Sequence, residues 1–159
     1  MSPMDIYCHA PLGAKIRFSN GEPRPPDRCT RKVKAWENDN GTGTLIEYRP
    51  GCESTTYSSP PTFALHLATY SSGGVQILVV RRIYSVVSRL DFEIVERPRP
   101  GMARVLTVIG EGDELRHLAA DEAAAQAWLG EHRYHNARIE LVDDPDAPNR
   151  PLFRGRAAA

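Results

Sequence analysis

The chain has 159 residues, 41% of them hydrophobic, enough for one compact core and too few for two independent cores of ordinary size. Lys+Arg and Asp+Glu both number 20, so no net field favours nucleic acid, an anionic membrane or an acidic substrate, and a polyanion binder would need local clustering. Cys8, Cys29 and Cys52 are odd in number, far apart and outside any C-x-x-C pair, which signals neither a disulfide framework nor a zinc ribbon. Free thiols in a reducing cytoplasm are expected.

The first residues, Met1-Ser2-Pro3-Met4-Asp5, contain no basic region followed by an apolar stretch, so no secretory signal is expected. Residues 54–80 carry no Asp, Glu, Lys or Arg, but their Ser, Thr, Pro, Gly and His66 argue against a membrane-spanning helix. Ile6, Ile16 and Phe18 alternate with polar residues around Pro11-Leu12-Gly13 and predict two short β segments. Residues 20–30, with Gly21, Pro23, Pro25 and Pro26, predict a loop. Residues 32–36 and 44–48 flank Asn38-Asp39-Asn40-Gly41 and predict a hairpin. The polar segment 52–61 is expected to cross the surface.

Residues 62–70 and 75–82, rich in β-branched and aromatic side chains and separated by Ser71-Ser72-Gly73-Gly74, predict a second hairpin. Its second arm is apolar on both faces, with Val75, Ile77 and Val79 on one and Leu78 and Val80 on the other, which predicts a place in mid-sheet or between packed layers. Residues 83–95 mix helical spacing with strand-forming types; a strand bent near Ser85 or Ser88 is the expectation, a helix through Leu90 the alternative. Residues 103–109 and 114–118 bracket Gly110-Glu111-Gly112-Asp113 as a third hairpin. Asp121 is placed as the N-cap of a helix over 122–129, ended by Gly130 and docked through Trp128 and Leu129. Ala137, Ile139 and Leu141 predict a closing strand, followed by a flexible tail over 143–159.

No local pattern announces catalysis. Cys8 and His9 would face opposite ways as neighbours on a strand. His132 and His135 lack an acidic or thiol partner at metal-ligand spacing, and Gly110-x-Gly112 is followed by Asp113-Glu114, which would repel phosphate. No cofactor, metal site or catalytic residue is therefore assigned. The reading leans against an enzyme, although a site assembled from scattered residues would leave no local trace.

Two clusters are candidates for binding. Arg28, Arg31, Lys32, Lys34 and Trp36 form the densest basic group, and strand parity would set Lys32, Lys34 and Trp36 on one face as a small nucleic-acid platform. Arg81 and Arg82 end the doubly apolar strand and, with Tyr84 and Arg89, have the composition of a protein interface. The expected fold is α+β, mostly antiparallel, with about seven to nine strands in a sheet, sandwich or half-barrel over residues 1–142 and one short C-terminal helix followed by a strand. The expected function is a non-catalytic binding protein docking on a protein partner as an inhibitor or accessory factor. The composition is compatible with a bacterial phage or mobile element, such as an anti-defence inhibitor. Nucleic-acid binding is the alternative, a dispersed enzyme the lower one, and pairing of exposed strand edges leaves a homodimer open.

Overall fold

A computed structural model describes residues 1–110, 112–144 and 146. In chain order the elements are α1 (Pro3–His9), β1 (Lys15–Ser19), α2 (Thr30–Asp39), β2 (Gly41–Arg49), β3 (Cys52–Glu53), β4 (Ser58–Ser59), β5 (Thr62–Ser72), β6 (Val75–Ser85), β7 (Asp91–Glu96), β8 (Ala103–Ile109), β9 (Gly112–Ala119), α3 (Glu122–Glu131) and β10 (Ala137–Leu141). Eight strands form one antiparallel sheet curved into a half-barrel, and β3 pairs with β4 as a small separate ladder. The fold is α+β, as expected, with two helices in addition to the C-terminal one. The expected tail over 143–159 lies almost wholly outside the described residues.

Strand β2 is the branch point. Thr44 pairs with Lys15 of β1 and with His66 of β5, whereas Glu47 pairs with Glu114 of β9 and with Ala64 of β5. Strands β1 and β9 therefore follow one another along one side of β2, while β5 occupies the other. One branch continues from β1 to β7 and the second from β9 through β8 to β10. On the opposite side β5 carries β6, which pairs with nothing else among the described residues.

The main core gathers Ile6, Ile16, Phe18, Leu45, Phe63, Leu65, Phe92 and Leu106 into one cluster. Four rings interlock there: Phe63 lies 5.9 Å from Tyr84 and 5.3 Å from Phe92, and Tyr84 lies 5.4 Å from Phe18 and 5.2 Å from Phe92. The Tyr48 hydroxyl donates to the carbonyl of Ala10, and burial pushes its pKa far above the usual range. A second cluster lies beneath α3, where Ala103, Val105, Ala119 and Ala125 pack with Trp128, Leu129, Ala137 and Ile139. The expected docking of the C-terminal helix is seen there.

The hairpins β5–β6 and β8–β9 form as read, and the 83–95 segment is two strands separated by a turn at 86–90. Three readings are corrected. The first β segment is α1, because Ser2 and Asp5 form a reciprocal capping box and Pro3 opens the helix, satisfying amides that an isolated short helix leaves bare. Residues 32–36 lie in α2 and not in a hairpin arm: Val33 and Trp36, three apart, face inward on a helix whose other residues, Ala35 apart, are polar, and the strand that follows pairs with β1 and β5. Finally, β6 lies at the sheet edge, not in its middle.

Asp121 caps α3 by accepting from the amide of Ala124 at 2.7 Å. Helix α3 runs through Gly130 to Glu131 before it stops. Asp121→Ala is expected to cost about 1 kcal/mol of folding free energy, read from urea denaturation, because the amide it satisfies has no other partner in the first turn.

Candidate functional site

Pairing of β2 with β5 ends at His66, but the β5–β6 ladder continues to Ser72 and Val75. Residues 68–80 thus leave the sheet as a two-stranded finger that turns at Gly73 and Gly74, both at positive φ, a conformation that costs glycine little. On one face of the finger Tyr70 pairs with Leu78 and Ser72 with Val75; on the other Thr69 pairs with Val79 and Ser71 with Gln76, and the register shift between Tyr70 and Ser71 leaves Ile77 as the extra residue of a bulge. Tyr70, Val75, Ile77, Leu78 and Val79 are all exposed, Ile77 and Val75 by 69% and 66%. Thus a strand that is apolar on both faces is here solvated on both.

An arginine–glutamate network anchors the base of this finger. Glu47 and Glu114 face one another across β2 and β9 and are both buried. Like charges set directly opposite on a ladder repel, and three guanidinium groups offset this. Arg49 donates to both oxygens of Glu47, at 2.6 and 3.3 Å. Arg81, from β6, and Arg116 both reach Oε1 of Glu114 at 3.1 Å. Oε2 of Glu114 has no hydrogen-bond partner among the described residues. Arg116 occupies the place where the β8–β9 register shifts between Val105 and Leu106, and it also donates to Thr107 Oγ1 at 2.9 Å.

Arg116 connects this network to a column of rings. Its guanidinium carbon lies 5.3 Å from the Tyr134 ring centre, within cation–π range. Trp128 stacks on His117 at 4.8 Å, on His132 at 4.1 Å and on Tyr134 at 5.6 Å. Burial, then the nearby His132, lowers the His117 pKa below the usual imidazole value. The folded state therefore takes up a proton on His117 less readily than the unfolded chain does. Stability from this group is complete above about pH 6.5, the unfolded value, and is lost as pH falls towards the lowered folded pKa. Thermal melts at pH 8 and pH 5.5 should show a smaller acid-induced drop for His117→Gln than for the unaltered protein.

The interface candidates divide. Arg81 is at the finger base and exposed, tied to Glu114. Arg82 donates to the carbonyl of Asn38 and, at 2.9 Å, to its Oδ1, so it closes the C-terminal end of α2. A cation there complements the helix dipole. Tyr84 is buried among the four core rings and offers no ring to a partner. Arg89 is exposed on the turn after β6. The apolar finger itself, Tyr70 included, was not singled out from sequence as an exposed feature.

The nucleic-acid candidates do not share a strand face. Arg31, Lys32, Lys34 and Trp36 lie on α2 and Arg28 just before it. At 100° per residue Lys32 and Trp36 lie on one side and Lys34 far round the helix. Trp36 is half-buried and donates its indole N–H to the carbonyl of Glu22 at 2.8 Å. Among the described residues no group of three or more His, Cys, Asp or Glu could hold a metal ion, and no helix is long and apolar enough to cross a membrane.

No curated protein and no solved structure matches the chain. Residues 1–146, a span that contains every element from α1 to β10, match the model of the family described as uncharacterised conserved protein UCP036055, and the chain belongs to that family.

Proposed function

We propose that the chain is a non-catalytic binding protein that docks on a protein partner as an inhibitor or accessory factor, with the finger as its docking element. The observation that supports this is the run of exposed apolar side chains on residues 70–79, without a charge among them. Apolar surface left in water on a two-stranded ribbon is unfavourable, and such ribbons are marginal on their own. A partner that covers it removes that cost, as contiguous exposed apolar surface does at interaction sites. The arginine–glutamate network holds the base of the finger, so less ordering entropy is lost on docking.

The test is affinity capture from the natural host, identified by mass spectrometry, with the unaltered chain beside a Tyr70→Asp/Leu78→Asp variant. The unaltered chain should retain a specific protein that the variant loses. No specific protein retained, or equal retention by both, overturns the reading.

One observation favours nucleic acid as a second reading. The first turn of α2 has no acid and no side-chain cap, and Arg28, Arg31, Lys32 and Lys34 surround it, so positive charge is concentrated at its amino end. Binding of labelled single- and double-stranded oligonucleotides at low salt should then weaken with added salt and with Lys32→Ala/Lys34→Ala. An absent signal removes this reading.

A further inference from the structure

We propose that residues 22–28 present a polyproline II ligand, which seats the edge of Pro23 and Pro26 in a partner's groove lined by aromatic rings and bordered by a carboxylate. This goes beyond the finger: it is a second contact surface, on the connection between β1 and α2, and it does not depend on docking through residues 70–79.

The sequence there is Glu22-Pro23-Arg24-Pro25-Pro26-Asp27-Arg28. Each proline ring fixes φ at about −65°. Glu22, Arg24 and Pro25 each precede a proline, which turns them from the helical region towards the extended one. Fixed φ and extended ψ together make polyproline II, a left-handed helix of about three residues per turn with no internal hydrogen bonds. In the structure residues 22–26 belong to no helix, strand or turn. The carbonyls of Pro23, Arg24 and Pro25 accept no hydrogen bond among the described residues.

Both ends of the segment are clamped. At its start Asn20 Oδ1 accepts from the Glu22 amide at 3.0 Å and from Asn40 Nδ2 at 2.9 Å, and Trp36 donates its indole N–H to the Glu22 carbonyl at 2.8 Å. At its end the Cys29 amide donates to the Pro26 carbonyl at 2.8 Å, and the chain enters α2. Residues 23–26 are thus held between two fixed points, and little ordering entropy remains to be lost on binding.

The period of the helix decides which edge is offered. Glu22 and Pro25 share the edge that meets the body of the protein: the Glu22 carbonyl is bonded to α2, and Pro25 is half-buried. Pro23 and Pro26 lie one turn apart, about 9 Å, on an edge that is exposed at both positions. Arg24 and Asp27 form the third edge, where they pair at 3.0 Å. That pairing leaves Arg28 as the exposed cation at the end of the segment, without an ion pair among the described residues. Two prolines on one edge of a preformed helix are what the aromatic grooves of SH3 and WW domains take. A guanidinium beyond the second proline fits a carboxylate at that end of the groove. A nucleic acid would engage Arg28 but would gain nothing from the proline edge.

The test is a titration of the isotope-labelled full chain with a panel of purified SH3 and WW domains, followed by amide NMR. At least one member should give saturable shifts confined to the amides of Arg24, Asp27, Arg28 and Cys29 and to the Trp36 indole. Pro23→Ala/Pro26→Ala, which leaves every charge in place, should weaken that binding by about tenfold or more, and Arg28→Glu should weaken it as well. Unchanged resonances in the sheet show that the variants are folded. No saturable shift with any member, or equal affinity for the unaltered chain and the proline variant, overturns the proposal. Weakening by Arg28→Glu alone also overturns it, since the contact is then one of charge. The Tyr70→Asp/Leu78→Asp chain should bind the same domain as tightly as the unaltered chain, so this surface and the finger fail separately.

Discussion

Phe63→Ala is expected to lower the unfolding free energy by about 3–5 kcal/mol, the largest single-residue loss in the molecule. Phe63 is 1% exposed and stands where β2, β5 and β6 cross, paired with Tyr48 on one side and Tyr84 on the other. Its ring meets Tyr84 and Phe92 edge-on or tilted, an arrangement favourable to ring quadrupoles. Removal leaves a cavity walled by two other large rings, Tyr84 and Phe92, which are held by strands on different branches of the sheet and cannot move together to fill it. Urea denaturation followed by far-ultraviolet circular dichroism measures the loss. Val87→Ala, on the exposed turn after β6, should change stability by no more than about 0.5 kcal/mol. A Phe63→Ala loss below about 1 kcal/mol would show that the four rings do not form the cooperative core described here.

The parts of this fold legible in the sequence are those specified locally. The β5–β6 and β8–β9 hairpins each have apolar or β-branched arms around a glycine-bearing turn, and α3 carries its own cap in Asp121. Strand β10 shows its alternation directly. In α1 the signal was present but short: Ser2-Pro3-Met4-Asp5 is a capping sequence, outweighed by the β-like spacing of Ile6, Ile16 and Phe18. In α2 the alternation of Lys32, Val33 and Lys34 imitated a strand, whereas the pair Val33 and Trp36 carried the helical period.

The edge position of β6 left no trace in its sequence, because the number of neighbours a strand has depends on the rest of the chain. A doubly apolar strand reads as central when only folding of one copy is considered. Its exposure leaves contiguous apolar surface in water, which is why this departure from expectation underlies the docking proposal. The candidate arginines were found for a sound reason, the change from apolar to cationic at Val80-Arg81. Their roles were not legible, since Asn38 and Glu114, which hold Arg82 and Arg81, are distant in sequence. Glu47 was not singled out at all; only its pairing with Glu114 gives it significance.

Removing both guanidinium groups from Glu114, in Arg81→Ala/Arg116→Ala, is expected to destabilise the fold by about 3 kcal/mol. Glu114 is 3% exposed and would be left facing Glu47, a second buried carboxylate, with only the more distant charge of Arg49 to offset the pair. The value belongs at the low end of the range for a broken buried pair because the Arg81 and Arg116 side chains are 46% and 30% exposed, and solvent screens part of what they contribute. Arg116→Ala also removes the contact with Tyr134 and the hydrogen bond to Thr107, so the single variants should not be equal. Adding Glu114→Gln to the double variant separates charge from packing: the neutral amide has no buried charge to compensate, and the triple variant should regain more than half of the loss in urea denaturation. No recovery would mean that the arginines act through their stems, by covering apolar surface. Since Arg81 is where the finger meets the sheet, the double variant should also raise amide exchange at residues 68–80 above the increase seen in the rest of the sheet, and the triple variant should not reverse that excess.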